Sequence, residues 1–503
     1  MNSLIIKLSE IGHIDDCALA YGHFDTIHPG HVRYLKYAKS IGKKLIVAIM
    51  GDSKKPDYPS FKFNQKERSE TLAMLDIADI IICLKEEELY NVVKKIKPKA
   101  LVLGKEKESP NNVDFKTREA INLQIQLGGI VEFKAGEVNY SSAEVLYKSE
   151  GEILEKRKEE FRLACKKQKI DSSVLLDTVD KWRSTKLIVV GDIIVDQYVA
   201  CEALGISAEA PVIVVKELEN RNFLGGAGIV ASHIKSVGGN CDLFSVIGND
   251  ETKKFVHNIV NSLEIGNFIV EDFKRPTTLK KRYLVDNQKI FRVSRLEENF
   301  ISKDIEEKII SEIERSAKNA NGIIISDFVY GVVTDKLIKN IKQIALENNL
   351  ILIADLQCSS QIGSISKFKD FSLLCPNEKE ARISLQDKSN SIEFLSQKLL
   401  STTRTKRLIM KLGASGFIAY DNSLNGPVVR QSFPALSVNP VDVSGAGDSL
   451  LSVMSMGLAS GHSMMISAAL AALMSSLAVR NMGNIPIDDE SLKRFIVEIF
   501  NEN

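Results

Sequence analysis

The chain has 503 residues, of which 44% are hydrophobic and 26% charged, and its formal net charge at pH 7 is +1. This length predicts about two to four domains with sizeable cores, and the balanced charge argues against nucleic acid as a partner. We find no run of about 18 apolar residues and no signal-peptide pattern, so we expect a cytoplasmic protein without a membrane partner. Its seven cysteines are scattered without metal-ligand spacing, as in a reduced chain with buried thiols.

Apolar segments of strand length alternate with helical segments in the first part of the chain. The predicted strands are 17–22, 44–52, 79–84 and 100–104, and helical spacing is found over 31–42 and 64–75. Strands that are apolar along their whole length are typical of a parallel sheet covered on both faces. Residues 12–147 are therefore predicted to form a doubly wound, Rossmann-like α/β domain.

Two histidines follow the first of these strands in the stretch YGHFDTIHPGH, Tyr21 to His31. His28 ends the predicted loop and His31 starts the predicted helix, whose free amides attract phosphate. Imidazoles at this position can donate to phosphate oxygens and stabilise charge that develops at phosphorus. The same pair can instead bind a metal or pack in the core, and spacing alone leaves these readings open.

The segment GHFDTIHPGH resembles the signature of the cytidylyltransferase-like nucleotidyltransferases, and the resemblance spans about 15–147. It implies transfer of a nucleoside monophosphate from ATP or CTP to a sugar or alcohol phosphate, with Mg²⁺ screening the triphosphate. His28 and His31 would then be catalytic. The implied nucleotide-binding residues are Gly22, Phe24, Asp25, Gly30, Arg68, Ser141 and Ser142. Ala143 replaces a threonine of the family motif.

Residues 148–185 differ in character from both flanking regions, because charges of both signs dominate and the apolar stripe is thin. This pattern predicts a charged helical linker that is largely solvated, with at most one docked face.

The alternation of strands and helices resumes at 186–196 and continues at 322–328, 351–356, 372–377 and 407–413. Residues 186–500 are therefore predicted to form a second α/β domain. The stretch 210–226 instead reads as two extended segments around a polar turn, as in a small sheet that covers a pocket. The small apolar residues of 467–483 predict a closely packed core helix.

A second candidate site lies in DVSGAGDSLL, residues 442–451. Gly445, Ala446 and Gly447 precede an apolar helix, and their amides can form a nest that holds an anion. Asp448 follows at once and can take a proton from an attacking hydroxyl. These are the requirements of phosphoryl transfer, although such a stretch can also be merely a tight helix start.

This stretch resembles the D-T-G-A-G-D motif of the ribokinase-like sugar kinases, and the resemblance covers about 186–500. Other matching segments are GDIIVDQY, GGAGIVASHIKSVGG, PNEKEA and KLGASG. The resemblance implies Asp448 as the base, an ATP site and a Mg²⁺ site. The implied ATP residues are Lys411, Gly413, Gly416, Gly445, Ala446 and Gly447; the sugar residues are Asp192, Asp196, Gly225, Gly226, Lys280 and Arg282; and the Mg²⁺ residues are Asn377 and Glu380.

One branch of this family, the bifunctional heptose-7-phosphate kinase/heptose-1-phosphate adenylyltransferases, resembles this chain in more detail. In that branch the kinase half comes first, whereas here the transferase-like half precedes the kinase-like half. The resemblance implies phosphorylation of heptose 7-phosphate at C1 and nucleotidyl transfer to a sugar 1-phosphate, which yields an ADP-heptose-type product. The departures from the branch are Gly205, Ile229, Tyr330 and Gln357, of which three replace cationic residues and Ile229 replaces an asparagine.

Two further readings stay open at this point. The transferase can use CTP and a polyol phosphate, and the kinase-like half can be a non-catalytic scaffold that holds a dimer together. Ile229 and the lost cations favour the scaffold, whereas Asp448, Asn377 and Glu380 oppose it. We expect small-molecule sugar phosphates and nucleotides as partners, and a homodimer formed through the small sheet.

Overall fold

The computed structural model describes residues 4–24, 27, 29–52, 63–85, 88–104, 114–133, 150–207, 209, 212–286, 288–358, 363–423 and 428–501. Four of the predicted site residues, Asp25, His28, Ser141 and Ser142, lie outside these ranges. The chain divides into two compact units. One comprises Met1–Ser149 and Asp387–Leu395, and the other comprises Glu150–Gln386 and Ser396–Asn503.

A parallel sheet forms the centre of the first unit. Its strands are β1 (Leu4–Lys7), β2 (Cys17–Gly22), β3 (Lys44–Ile49), β4 (Ile80–Cys83), β5 (Ala100–Leu103) and β6 (Ile130–Phe133), in the order β1-β4-β3-β2-β5-β6. The helices are α1 (Pro29–Ile41), α2 (Gln65–Met74), α3 (Leu89–Ile96) and α4 (Phe115–Gln126). Two apolar clusters cover the sheet, one on each face. The doubly wound fold predicted for this region is confirmed.

The strand order of this sheet reverses at β2. The chain runs outward from β2 through β3 to β4, and then returns to place β5 on the other side of β2. In open α/β sheets, the crevice for ligands lies at the carboxyl ends of the strands at such a switch point. The carboxyl end of β2 is Gly22, which is where the histidine-containing stretch begins.

Helices α5 (Glu150–Lys167) and α6 (Ser172–Asp180) occupy the region predicted as a solvated linker. They are part of the second unit, because Phe161, Cys165 and Trp182 are fully buried in its largest apolar cluster. Arg157 also donates to the carbonyls of Ala435 (3.2 Å) and Ser437 (2.7 Å). Only Phe161, Ala164 and Cys165 of the 18 residues of α5 are buried, so this charged helix has the single docked face that its thin apolar stripe allowed.

Truncation of Phe161 tests this packing. The ring of Phe161 lies 6.1 Å from that of Phe433 and 6.2 Å from that of Phe500, centroid to centroid. Phe161→Ala should lower the free energy of unfolding of the second unit by about 3–5 kcal/mol through lost burial and a cavity. Leu163→Ala on the exposed face of the same helix, where the side chain is 51% exposed, is the matched control. Equal denaturant midpoints for the two variants would show that the helix is a mere spacer.

The second unit is built on a nine-stranded sheet in the order β11-β10-β7-β14-β15-β16-β17-β18-β19. These strands are β7 (Lys186–Gly191), β10 (Asn240–Gly248), β11 (Gly266–Asp272), β14 (Gly322–Asp327), β15 (Ile351–Leu356), β16 (Leu373–Leu374), β17 (Arg407–Lys411), β18 (Phe417–Asp421) and β19 (Val429–Phe433). All neighbouring pairs are parallel except those made by β18.

The remaining helices of the described chain are α7 (Ala227–Ser236), α8 (Thr252–Ser262), α9 (Lys303–Ala317), α10 (Asp335–Glu347), α11 (Glu378–Leu385), α12 (Ile392–Thr403), α13 (Ala446–Ala459), α14 (Met464–Ala478) and α15 (Asp489–Phe500).

The predicted core helix is α14, which packs closely on α13. A Cβ on Gly457 would lie only 2.4 Å from Ser467 Oγ, so the small residues permit this approach. No helix in the described ranges is long and apolar enough to cross a bilayer.

A separate four-stranded sheet, the lid sheet, consists of β8 (Ile193–Ile206), β9 (Ile213–Gly226), β12 (Leu279–Val285) and β13 (Gln288–Arg295), in the order β13-β12-β8-β9. The small sheet expected from 210–226 is therefore present. The single strand predicted over 186–196 is divided, because β7 ends at Gly191 in the main sheet and β8 begins at Ile193 in the lid sheet.

Candidate active sites

The first candidate site begins at the carboxyl end of β2. Phe24 is buried there in a left-handed conformation (φ 55°). Its ring lies 5.2 Å from the half-buried His31 ring and 6.3 Å from the ring of Tyr34. A Cβ on Gly22 would lie 3.1 Å from the Phe24 ring, so glycine leaves room for this turn. His31 in the first turn of α1 is thus located beside the switch point, as the motif predicted.

Tyr34 joins this helix to the two central strands. Its hydroxyl donates to the carbonyl of Val102 in β5 (2.6 Å) and accepts from the amide of Tyr21 in β2 (3.1 Å). The start of α1, with Gly30 in its backbone, is therefore held next to the crevice between β2 and β5. Helix amides at this position can receive a phosphate.

Arg68 has a different environment from the expected phosphate contact. Its side chain has no exposed surface and pairs with Asp52 at 2.6 Å. The guanidinium also donates to the carbonyls of His23, Met50 and Phe63. It therefore ties together the loops that follow β2 and β3, and the structure does not support Arg68 as a direct triphosphate ligand.

The second candidate site lies at the carboxyl ends of the central strands of the second unit. Gly445 adopts a left-handed conformation (φ 79°) immediately before α13, and Asp448 lies in the first turn of that helix with 5% of its surface exposed. A Cβ on Gly447 would lie 3.5 Å from Lys411 Nζ and 3.9 Å from Gln357 Nε2. The predicted nest, Gly445–Gly447, therefore lies close to an ammonium and an amide, and these groups suit an anion.

Asp448 is part of a buried polar cluster. Gln357 donates from Nε2 to Asp448 Oδ1 at 2.7 Å and to Asp355 Oδ2 at 3.3 Å. Lys411 donates to both oxygens of Asp355 at 2.9 Å. Lys411 is the last residue of β17 and thus lies at its carboxyl end, whereas Gly413 and Gly416 lie in the turn between β17 and β18.

The electrostatics of this cluster suit a base. Burial, reinforced by the charge of Asp355, raises the pKa of Asp448 to about 7, although Lys411 and Gln357 pull it down. Burial opposes the charge on Lys411, but Asp355 and Glu380 outweigh it and raise the pKa of the ammonium. A carboxyl with a pKa near neutrality is poised to accept a proton from a hydroxyl.

Asn377 and Glu380, the predicted metal residues, form a capping box at the start of α11. Glu380 donates from its amide to Asn377 Oδ1 (2.9 Å), and its Oε2 accepts from the amide of Asn377 (2.8 Å). Oε1 of Glu380 accepts from the amide of Cys358 at 3.3 Å. Within the described ranges, we find no group of three acidic, histidine or cysteine side chains that could hold a metal. Their metal-binding role stays a prediction.

Asp192, the first predicted sugar ligand, is bonded to the backbone of a neighbouring loop. It is 2% exposed and accepts from the amides of Phe328 (2.9 Å), Tyr330 (3.3 Å) and Val332 (3.2 Å). Burial and the charge of Asp327 raise its pKa to about 6. Asp192 therefore supports the loop after β14, and its direct contact with the sugar stays a prediction.

Asp196, the second predicted sugar ligand, lies in β8, and its carboxyl contacts two side chains. It pairs with Arg282 through Oδ1 and accepts from Asn484 Nδ2 at 2.8 Å through Oδ2. A Cβ on Gly225 would lie 2.5 Å from Asp196 Oδ2, so the glycine leaves room for this carboxyl. Gly226, the next residue, has φ 58° and precedes α7. The charge of Asp196 contributes to the raised pKa of Asp448, which links the two groups electrostatically.

The departures from the heptose-kinase branch fall in different environments. Ile229 and Tyr330 are both 1% exposed, and Lys280 Nζ lies 5.1 Å from the Tyr330 ring and from the Phe328 ring. Gly205 is exposed in β8, and a Cβ there would have no neighbour within 4 Å. Lys280 thus supplies a buried cation directly beside Tyr330, at a position where the branch has lysine.

Sequence reasoning missed several residues that the fold brings to this site. Asp355 lies at the end of the predicted strand 351–356, and its position at a carboxyl strand end was an available signal. Asn484 follows α14 and touches Asp196, and its Oδ1 is buried without a hydrogen-bond partner among the described residues. No local pattern marked Asn484, because its contacts are made across the fold.

Comparison with known proteins identifies similar families for both units. Residues 184–490 match the pfkB family carbohydrate kinases, and residues 19–133 match the cytidylyltransferase-like family. The bifunctional protein HldE of Campylobacter jejuni subsp. doylei is 30% identical over 313 residues, which cover 62% of this chain and 64% of that protein. HldE of Geobacter sulfurreducens is 31% identical over 301 residues, which cover 59% of this chain and 60% of that protein. The match thus spans less than two thirds of these relatives.

Solved structures resemble the second unit in fold. Phosphofructokinase-2 from Escherichia coli, in complex with substrates and products, superposes with a TM-score of 0.52 at 16% identity, covering 63% of this chain and 100% of that one. The tetrameric inhibited form of the same enzyme gives a TM-score of 0.51 at 16% identity over 63% of this chain and 99% of that one. At this level of identity, the likeness establishes the fold of the second unit.

Proposed function

The chain belongs to the pfkB family of carbohydrate kinases, and we propose that it is a two-activity enzyme of nucleotide-sugar biosynthesis. The second unit would transfer the γ-phosphoryl group of ATP to a sugar, with heptose 7-phosphate at its C1 hydroxyl as the preferred acceptor. The first unit would transfer a nucleotide to a sugar 1-phosphate and release pyrophosphate. The observation that carries the kinase proposal is the buried Asp448 beside the nest, with a pKa of about 7.

The proposed phosphoryl transfer uses Asp448 and Gln357 of the polar cluster together with the amides of the nest. Asp448 accepts the proton of the sugar hydroxyl as its oxygen attacks the γ-phosphorus, and the bond from phosphorus to the bridging oxygen of ADP breaks. The amides of Gly445–Gly447 stabilise the charge on the transferring group. Gln357 orients the Asp448 carboxyl through its 2.7 Å hydrogen bond.

In this scheme, Mg²⁺ would be bound by the phosphates of the nucleotide. In phosphotransfer sites, Mg²⁺ is commonly held by substrate phosphates, waters and one or two carboxylates. The oxygens of Asn377 and Glu380 already accept from backbone amides, so the role that suits them is to bind waters of the metal. Mg²⁺ would supply charge neutralisation at the phosphates.

The sugar would lie beside Asp196 in β8 of the lid sheet. Arg282 and Lys280 provide cationic groups there that suit a phosphorylated sugar, and they offset the cations that the branch has at other positions. The scaffold alternative is not favoured, because the base, the nest and the Lys411–Asp355 pair are all intact. We propose ATP for both activities, with CTP as the alternative donor of the first unit.

A product screen tests this proposal. The purified chain is incubated with Mg²⁺, ATP or CTP, and a panel of sugars and sugar phosphates, and products are read by mass spectrometry. We expect a bisphosphate from heptose 7-phosphate and ATP, and a nucleotide sugar from heptose 1-phosphate. Nucleotide binding without turnover of any acceptor would instead support the scaffold.

The pH dependence of the kinase follows from the pKa of Asp448. The ionised carboxylate is the base, so kcat/KM for the sugar should rise about tenfold per pH unit below the pKa of about 7 and level off above it. Gln357→Lys places a positive charge beside this carboxylate and favours its ionised form, which should move the acid limb down by about one to three units. Gln343→Lys in α10, remote from the polar cluster, is the control. An unmoved limb would exclude Asp448 as the titrating base.

We also propose a homodimer through the lid sheet and a cytoplasmic location. Eight large apolar side chains of β8, β9 and β13 are exposed: Leu204, Ile206, Ile213, Val214, Leu218, Ile290, Phe291 and Val293. Apolar patches of this kind mark interaction surfaces. Ile206→Asp combined with Ile213→Asp should shift the sedimentation coefficient from dimer to monomer. A wild-type monomer at micromolar concentration would contradict the proposal.

A further inference from the structure

A buried carboxyl lies close to the nest but takes no part in the proposed chemistry. Asp442 precedes Gly445 by three residues, and its side chain has no exposed surface. Lys289 in β13 of the lid sheet donates from Nζ to Asp442 Oδ1 at 2.6 Å and to Ser444 Oγ at 3.2 Å. A lysine of the lid sheet is thus bonded directly to the loop that forms the nest.

The other contacts of Asp442 come from three parts of the fold. Its Oδ2 accepts from the Tyr198 hydroxyl of β8 and from the amide of Gly483 at 3.3 Å. Its Oδ1 also accepts from the amide of Ser444 at 2.9 Å. One carboxyl therefore connects the lid sheet, the nest loop and the loop after α14.

Only Lys289 makes a direct ion pair with this carboxyl among the described residues. Arg282 lies 5.3 Å from the Tyr198 ring, but it is paired with Asp196. A buried carboxylate without a positively charged partner is costly. Removal of the Lys289 ammonium would therefore favour a rearrangement that exposes Asp442. That rearrangement would move the adjoining amides of Ser444 and Gly445.

We propose that Lys289 is a positioning residue for phosphoryl transfer, which holds the nest in its anion-binding conformation by neutralising Asp442. Donors preorganised around developing charge are effective only when their geometry is fixed before the reaction. The kinetic consequence rests on the proposed kinase function, whereas the order of the nest loop does not. Because Lys289 acts through Asp442, its loss should lower kcat more than it raises KM.

The experiment compares Lys289→Gln, Lys289→Arg and Lys216→Gln, the last being a control on an exposed position of β9. The first readout is hydrogen exchange of peptides that cover 439–447 in the protein without ligands. Lys289→Gln should exchange several times faster there, and Lys289→Arg and Lys216→Gln should match the wild type. The second readout is kinase turnover with the acceptor found in the product screen.

For turnover, Lys289→Gln should lose about 10- to 100-fold in kcat, as expected for one charged hydrogen bond, with KM for the sugar changed by less than about threefold. Lys289→Arg should stay within about threefold of the wild type. Ethylammonium, a free cation with the shape of the missing side-chain end, should restore at least about a tenth of the lost activity to a smaller variant, Lys289→Ala.

Several outcomes would overturn the inference. The first is unchanged hydrogen exchange over 439–447 in Lys289→Gln. The second is a rise in KM without a fall in kcat, which would make Lys289 a substrate contact. The third is a loss of kcat that neither arginine at position 289 nor ethylammonium repairs. If the wild-type chain turns over no sugar, the proposed function fails, and the exchange comparison alone decides the inference. Faster exchange confined to the nest loop then supports it, and equal exchange rejects it.

Discussion

Replacing Asp448 with asparagine should lower ATP consumption with the sugar acceptor by about 10²- to 10⁴-fold, the range typical of a lost general base. Asparagine preserves the size of the side chain and can still accept the hydrogen bond from Gln357. It cannot take a proton at neutral pH, so turnover falls while nucleotide binding persists. The measurement is steady-state ADP formation, together with ATP binding by calorimetry.

The transferase activity of the same protein is the internal control for this variant, since it should be unchanged. Stability gives a second check, because the folded-state pKa of Asp448 is raised to about 7 and its stabilising contribution is lost as pH rises through that value. At pH 8, Asp448→Asn should therefore be more stable than the wild type, on the order of 1–4 kcal/mol, and the difference should shrink toward pH 5. Retained turnover, or lower stability at pH 8, would remove Asp448 from the proposed role.

Replacing His31 with alanine should lower pyrophosphate release by about 10²- to 10³-fold, comparable to the loss of one donor to a developing charge. His31 lies in the first turn of α1, beside the buried Phe24 ring and near the carboxyl end of β2. At this place, an imidazole can donate to the α-phosphate as it is attacked. We expect the same loss for His28→Ala on the strength of the motif.

His13→Ala is the matched control for His31→Ala, because His13 lies in the same unit with 54% of its side chain exposed. Kinase turnover of the His31 variant should equal that of the wild type, which shows that the loss is confined to the first unit. Pyrophosphate release within about threefold of the wild type would mean that the imidazole only packs against Phe24, the reading that the spacing left open.

These two variants together separate the proposed activities. Each should silence one reaction and spare the other, because the two sites lie in different compact units. Loss of both activities from either variant would contradict independent sites. Gln357, one of the departures from the branch, donates to Asp448, and the pH profile of Gln357→Lys tests its effect on the pKa of that carboxyl.

Much of the architecture could be predicted from local patterns. The predicted strands 17–22 and 351–356 have the same bounds in the structure, and the apolar helix predicted to carry Asp448 is present, beginning at Ala446. Such features depend on neighbours in the chain, namely apolar runs, glycines and caps. The charged helix after residue 148 has one docked face, as its thin apolar stripe allowed, but only the structure shows that Phe161 packs in the core of the second unit.

The amino-acid sequence by itself determined the two α/β units, the places of both candidate phosphate-binding segments and the identity of the proposed base. Only the tertiary structure decided which polar groups meet. Arg68 faces carbonyls, Asp192 holds a loop, Lys411 pairs with Asp355, and Lys289 reaches Asp442 from the lid sheet. The reason is that these contacts join residues far apart in the chain, and they depend on which strands end side by side and on the direction in which each side chain leaves its strand.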